Sequence, residues 1–273
     1  LNSIQKGIVD MAYTVLQPKG DLLPRILTGL VAVPAVIFLI FQDPIFFKLL
    51  GVLASFGLLR EWSRLSFGEN YHWMNSICLL AILVAFVPAL RIGSVAIILA
   101  GCGWLYYLNL LPVKKFAIVS AGYLYISLAM SIIIHIMPEI GGSYFILLVL
   151  ALVWFVDTGA FLVGKVIGGP KLAPTISPGK TWAGFFGGIF FGLVGVWFLT
   201  KIMSINVSNS FWVFGTAAVF LAHGGDLLES WCKRYFNVKD SGSFLPGHGG
   251  LLDRLDSLLA ISFAVALFWY FGE

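Results

Sequence analysis

The chain has 273 residues, 59% of them hydrophobic and only 11% charged, with a mean hydropathy of +0.95. Soluble domains run about 25% charged, so this composition excludes an ordinary water-soluble globule. Cys78, Cys102 and Cys232 are too few and too scattered for a disulfide framework or a zinc site.

Apolar runs of about 20 residues suit helices that cross a hydrocarbon core. The alternating segments of about 10 residues that a closed barrel needs are not visible. The expected fold is therefore an all-α polytopic bundle. Residues 1–23 form a cytoplasmic N-terminal segment with no cleavable leader expected. Within it, residues 3–16 read either as an interfacial amphipathic helix, with Ile4, Ile8, Met11 and Leu16 toward lipid, or as a mobile tail. Nine spans are then predicted, at 24–41, 44–60, 73–90, 92–111, 116–137, 143–164, 182–200, 211–229 and 252–271. The first five, within 24–137, hold few ionisable groups and read as a scaffold, with His135 as a satisfied histidine of the bundle interior. The last four, within 138–273, carry Asp157, His223, Asp226, Glu229, Asp253 and Asp256. A carboxylate at the bilayer centre costs at least ~2.5 kcal/mol. These acids should therefore face partners or a wet cavity, and this half is expected to be catalytic.

Basic residues orient the spans. With the amino terminus in the cytoplasm, all of the 17 Lys and Arg except Lys48, Arg91 and Lys201 fall on the cytoplasmic side. The polar loops 165–181 and 230–251 then face the cytoplasm, and the carboxyl terminus lies outside. The net charge of +4 is mostly this topological signal, and no nucleic-acid partner is expected.

The segment 229–256, ESWCKRYFNVKDSGSFLPGHGGLLDRLD, is the densest in charge and glycine. His223, Asp226, Glu229 and Ser230 fall at offsets of three and four, hence on one helix face, and Lys233 extends the stripe if the helix persists. Asp253 and Asp256 share a face at the start of the ninth span. Two readings stand for them, helix-terminal acids that complement the dipole or ligands to Mg²⁺, which takes hard oxygen donors and shares substrate phosphates. Gly247, Gly249 and Gly250 let backbone approach a ligand, or simply turn the chain. His248 between them is a phosphate binder, a proton carrier or a loop prop. In the other loop, Gly179-Lys180-Thr181 matches the end of a P-loop. Pro174 stands at the first glycine position, however, and a membrane helix replaces the strand. Lys165, Lys171 and Lys180 with Ser177 and Thr181 still suit a phosphate.

These motifs carry a family resemblance. Ser230, Lys233-Arg234, Lys239-Asp240, Gly242, Leu245-Pro246, His248-Gly249-Gly250-Leu251 and Asp253-Arg254-Leu255-Asp256 resemble the signature of CDP-diacylglycerol synthases, also called phosphatidate cytidylyltransferases. Asp157, Ala160, Gly164, Lys171-Leu172, Ile176-Ser177-Pro178, Lys180-Thr181 and Gly184 resemble the family's other motif. Cys232 and Ala183 depart from the pattern, where an aliphatic and an acidic residue are usual. The resemblance implies the reaction CTP + phosphatidate → CDP-diacylglycerol + pyrophosphate, in the inner membrane of a bacterium. It implies Asp226, Lys233, Arg234, His248, Asp253 and Asp256 as catalytic residues, with Asp226, Asp253 and Asp256 on the metal. It implies Lys171, Ser177, Lys180, Thr181, Ser230, Lys239, Asp240, Gly249, Gly250 and Arg254 around the phosphates. Mg²⁺, a second cation such as K⁺ and a homodimer follow from the same resemblance. A secondary transporter is the alternative, but it should show internal repeats and a midplane site. A CDP-alcohol phosphotransferase needs an Asp-Gly dipeptide, which this chain lacks.

Overall fold

The computed structural model describes residues 22–68, 73–84, 91–107, 111–242 and 249–271. The predicted interfacial helix at 3–16 and His248 lie outside them. Helix α1 is Leu22–Ile40, α2 Pro44–Phe67, α3 Trp73–Val84, α4 Arg91–Tyr107 and α5 Val113–Ser131. A π-helical turn, Ile132–Ile136, joins α5 to α6, Met137–Val166; α7 is Trp182–Ile202, α8 Asn209–Tyr235 and α9 Leu252–Phe271. The protein is thus an all-α membrane protein with one addition that the sequence reading lacked. Strands β1, Lys171–Ala173, and β2, Ser177–Thr181, pair antiparallel with Lys171 opposite Thr181.

Four helical stretches among the described residues are long and apolar enough to cross a membrane: 113–166, Trp182–Ile202, Asn209–Tyr235 and Leu252–Phe271. The first has 54 residues, far more than one crossing needs. It breaks at Gly141 and Gly142, where the dihedrals leave the helical region and Gly142 takes φ +56°. Only glycine adopts that conformation cheaply, so the break is written in the sequence at the boundary between the predicted spans 116–137 and 143–164.

Local signals explain the helix ends. Asp43 accepts the Ile45 N–H at 2.9 Å and Pro44 opens α2, a favourable start because proline has no N–H to leave orphaned. Thr181 caps α7 by accepting the Gly184 N–H at 3.1 Å. Ser208 caps α8 through the Phe211 N–H at 3.3 Å.

Packing depends on small residues, as expected where lipid removes the hydrophobic drive between helices. Gly184, Gly188 and Gly192 repeat every four residues along one face of α7. A Cβ on Gly184 would lie 2.7 Å from the Ala160 carbonyl oxygen, and one on Gly192 2.6 Å from Val156. Helices α6 and α7 therefore touch nearly backbone to backbone. The opposite side of α7 exposes Phe186, Phe190, Trp197 and Phe198, a surface suited to acyl chains. His135 behaves as expected: it is buried, with Nε2 3.2 Å from the Ile82 carbonyl oxygen.

The decisive tie joins α2 to the start of α9. Glu61 is 6% exposed. Its carboxylate accepts the N–H groups of Leu251 and Leu252, each at 2.8 Å, and the Ser241 hydroxyl at 3.1 Å. A carboxylate is favoured there because the first N–H groups of a helix have no internal partners and carry partial positive charge. Glycine makes the approach possible: a Cβ on Gly242 would lie 2.7 Å from Glu61 Oε1, and one on Gly250 2.8 Å from Oε2. The neighbouring Trp62 donates its indole N–H to the Val119 carbonyl at 3.0 Å and so fastens α2 to α5.

Replacing Glu61 by Gln keeps the volume but turns an N–H donor toward N–H donors. The expected loss is about 2–3 kcal/mol, the usual cost of a charge-assisted hydrogen bond and a stranded buried donor. It should appear as a lower midpoint in a detergent-denaturant titration, and an unchanged midpoint would show that the tie is dispensable.

Candidate active site

The site grows from the polar face of α8. The helix runs unbroken to Tyr235, so His223, Asp226, Glu229, Ser230 and Lys233 do share one stripe. Lys233 reaches two acids at once: its Nζ lies 2.6 Å from Glu229 Oε2 and 2.8 Å from Asp253 Oδ1. The second oxygen of Asp253 accepts the Gly250 N–H at 3.0 Å and the Ser241 N–H at 3.2 Å. Asp253 thus ties the loop, the helix start and Lys233 together.

Three other carboxylates converge. One ligand oxygen each from Asp226, Glu229 and Asp256 lies within 4.8 Å of the others. Asp256 is 9% exposed and Glu229 7%, while the Asp226 side chain is 37% exposed, so two of the three acids are buried and the third opens the cluster toward water. Part of the negative charge is compensated. Lys180 Nζ lies 2.5 Å from Asp226 Oδ2, and Asp256 Oδ1 accepts the Ser257 N–H at 2.6 Å. Glu229 Oε1 is buried and has no hydrogen-bond partner. A buried oxygen left unsatisfied is costly, and a cation shared by the three acids would satisfy it.

A cavity of about 620 Å³ opens onto these groups. Helix α6 supplies Asp157 and Lys165, the hairpin supplies Lys180 and Thr181, α8 supplies His223 and Asp226, and α9 supplies Asp253, Arg254 and Asp256. The hairpin is what brings Lys180 here. β2 leads straight into α7, and Arg234 at the end of α8 holds the turn by donating to the Ile176 carbonyl at 3.2 Å, while its second bond, to the Val238 carbonyl at 3.3 Å, fixes the chain after α8.

Of the expected site residues, Lys180, Thr181, Asp226, Asp253, Arg254 and Asp256 line this one cavity, with Lys233 against Asp253. Several of the expected residues have structural contacts. The Arg234 guanidinium binds backbone carbonyls. The Thr181 hydroxyl accepts the cap bond of α7. Gly250 makes room for Glu61, and Gly249 takes φ +85° in the turn before α9. Ser230 is buried within α8, while Lys171, Lys239 and Asp240 are exposed and Ser177 is half-buried; none of these five lines the cavity. Asp253, expected on the metal, has both oxygens engaged, and Glu229 takes the third place in the cluster. Glu229 was legible as a member of the stripe, one helical turn from Asp226. Glu61 was not, because it falls one residue past the predicted end of its span, and its partners come from 180 to 191 positions away.

Comparison with known proteins agrees with the motifs. The model of the cytidylyltransferase family matches residues 23–271. A phosphatidate cytidylyltransferase of Brucella suis is 32% identical over 260 residues, covering 93% of this chain and 94% of its own length. One from Rickettsia bellii is 30% identical over 264 residues, covering 94% and 93%. One from Staphylococcus aureus is 45% identical over 123 residues, covering 44% of this chain and 46% of its own. With a match across almost its entire length and an acid cluster flanked by lysines at the matching motifs, the chain belongs to the cytidylyltransferase family.

Proposed function

We propose that the protein is a phosphatidate cytidylyltransferase that joins CTP to phosphatidate, forming CDP-diacylglycerol and releasing pyrophosphate. The observation that carries this reading is the convergence of Asp226, Glu229 and Asp256 beside Lys180. A phosphatidate oxygen attacks the α-phosphorus of CTP in line, forming a new P–O bond. The bond from that phosphorus to the bridging oxygen breaks, and pyrophosphate leaves with the electron pair. Phosphatidate is already an anion, so no strong base is needed. The protein's task is to position two anions and neutralise their charge.

The acids fit a hard cation: oxygen donors only, mutually close, with one buried oxygen lacking a partner. Asp226, Glu229 and Asp256 would hold Mg²⁺, and a second cation such as K⁺ belongs to the same proposal. When bound, the ion supplies charge neutralisation at the phosphates. Lys180 and Arg254 offer positive charge from two walls of the cavity, and Lys165 from a third. Lys233 is positioned by Glu229 and Asp253 at the cavity's edge. The proposed topology has nine crossings, a cytoplasmic amino terminus and site, and an external carboxyl terminus, in a bacterial inner membrane. A homodimer is proposed on family resemblance.

Purified protein in detergent should release pyrophosphate only when CTP (or dCTP), phosphatidate and Mg²⁺ are all present. Transport of an anion in proteoliposomes without pyrophosphate release would sink the reading.

Asp226→Asn and Asp256→Asn should each lower kcat at least ~100-fold, on the order of what removing support from a metal site costs, and raise the Mg²⁺ needed for half-maximal rate. Asp253→Asn should lower kcat with little change in Mg²⁺ dependence, since its expected role is to hold Lys233 and the loop. The reverse pattern would return Asp253 to the metal and remove Glu229's neighbours from it.

For topology, cysteines placed at Lys239 and at Glu139 in a Cys-free background should be labelled from opposite faces of oriented vesicles. Labelling of both from one face would refute the nine-crossing arrangement.

A further inference from the structure

A second cavity, of about 490 Å³, lies on the other side of the α8–α9 pair. This size is within the roughly 300–1,000 Å³ usual for ligand sites. Helix α5 walls it with Ala117, Ala121 and Gly122, and α8 faces them with Leu228, Trp231 and Cys232. Trp62 forms a fixed end, because its ring rests on Gly122 and its indole N–H is held by Val119. The lining is apolar apart from Glu229, Asp256 and the Tyr125 ring.

Two features separate this cavity from a packing defect. Asp256 lines both cavities, so the carboxylate cluster is reached from two directions. One path is polar, with Lys165, Lys180 and Arg254 among the carboxylates of Asp157, Asp226, Asp253 and Asp256, and suits a nucleoside triphosphate that brings a cation with it. The other is apolar and ends on Glu229, whose Oε1 lacks a partner. Its rim is also apolar: Leu228 is 44% and Trp231 40% exposed, on a helix long and apolar enough to span a membrane. Exposed apolar surface on such a helix faces lipid tails. The small side chains of α5 leave the space that an entering chain needs.

We infer that this cavity holds an acyl chain of the lipid substrate. Lipid and nucleotide then approach the acid cluster from opposite faces of α8–α9. The occupant is argued from continuity with the proposed active site, and the inference rests on the phosphatidate reading given above. Asp256, which lines both cavities, marks the place where the lipid headgroup and the nucleotide would meet. Gly225 keeps the α8–α9 pair tight between the cavities, since a Cβ there would lie 2.6 Å from the Asp256 carbonyl oxygen. The acyl chain therefore does not thread between the helices but stays on the α5 side.

The test uses the full chain in lipid nanodiscs and phosphatidate with a photoreactive group along one acyl chain. Cross-links should map to residues 117–126 and 228–232, and unlabelled long-chain phosphatidate should suppress them. Pyrophosphate release is followed in the same preparation. Release accompanied by cross-links at Phe161 or Phe185, which line the polar cavity, or at the neighbouring Phe186 would overturn the inference and leave the reaction standing. Failure to release pyrophosphate would overturn both. As a second measurement, Ala121→Trp should fill the cavity and raise the KM for long-chain phosphatidate on the order of tenfold, the equivalent of about two methylenes left unburied. The KM for CTP should stay within about twofold, a change below 0.5 kcal/mol. An equal rise in both would place the effect in the fold and overturn the inference.

Discussion

A single buried carboxylate decides where α9 begins. Glu61 accepts the amides of Leu251 and Leu252 and the Ser241 hydroxyl, and from that start α9 aims Asp253 and Asp256 at α8. A displaced α9 would move both acids together, because they sit within its first two turns. The free N–H groups of the helix start find their acceptors on another helix, so the same contact completes the end of α9 and fastens the loop before it. The region predicted as scaffold is therefore connected to the segment that carries Asp253 and Asp256 by direct hydrogen bonds. Asp253 continues the same device one layer further in. It accepts two backbone N–H groups and grips Lys233.

The remaining constraint is steric. Carboxylates on different helices can share an ion only if the helices approach closely, and lipid gives little help in pressing them together. Glycine supplies the closeness. Gly225 brings α8 against α9, and the series Gly184, Gly188, Gly192 brings α7 against α6. These contacts fix the walls that carry Asp157, Asp226 and Asp256. The hairpin then adds Lys180 from the side. Arg234 keeps it there through the Ile176 carbonyl, which is structural work for a residue that the family resemblance implied as catalytic.

The acid cluster is partly neutralised in advance. Lys180 pairs with Asp226, and Lys233 pairs with Glu229 and Asp253. Neither kind of pair adds much stability: desolvation offsets the attraction in the buried Lys233 pairs, and water screens the partly exposed Lys180–Asp226 pair. Their value here lies in arrangement. Each lysine is held beside a carboxylate of a different segment, Lys180 of the hairpin against α8 and Lys233 of α8 against α9.

Much of this was legible in the chain. Membrane residence follows from apolar runs, since the solvent requirement acts on every residue. The α8 stripe follows from helical periodicity, and the helix indeed reaches Lys233. The Asp253–Asp256 pair and the break at Gly141–Gly142 are local features, so they could be located before any fold was known. The tertiary structure alone decided the rest. It paired Asp253 with Lys233, put Glu229 beside Asp226 and Asp256, folded residues 171–181 into a hairpin, and assigned Arg234 and Thr181 to backbone partners. It also brought Glu61 to α9 and opened an apolar cavity behind the acids. Periodicity reports which residues share a face of one helix. Which helix lies opposite depends on close approaches between segments as much as 191 residues apart, and no local pattern carries that distance.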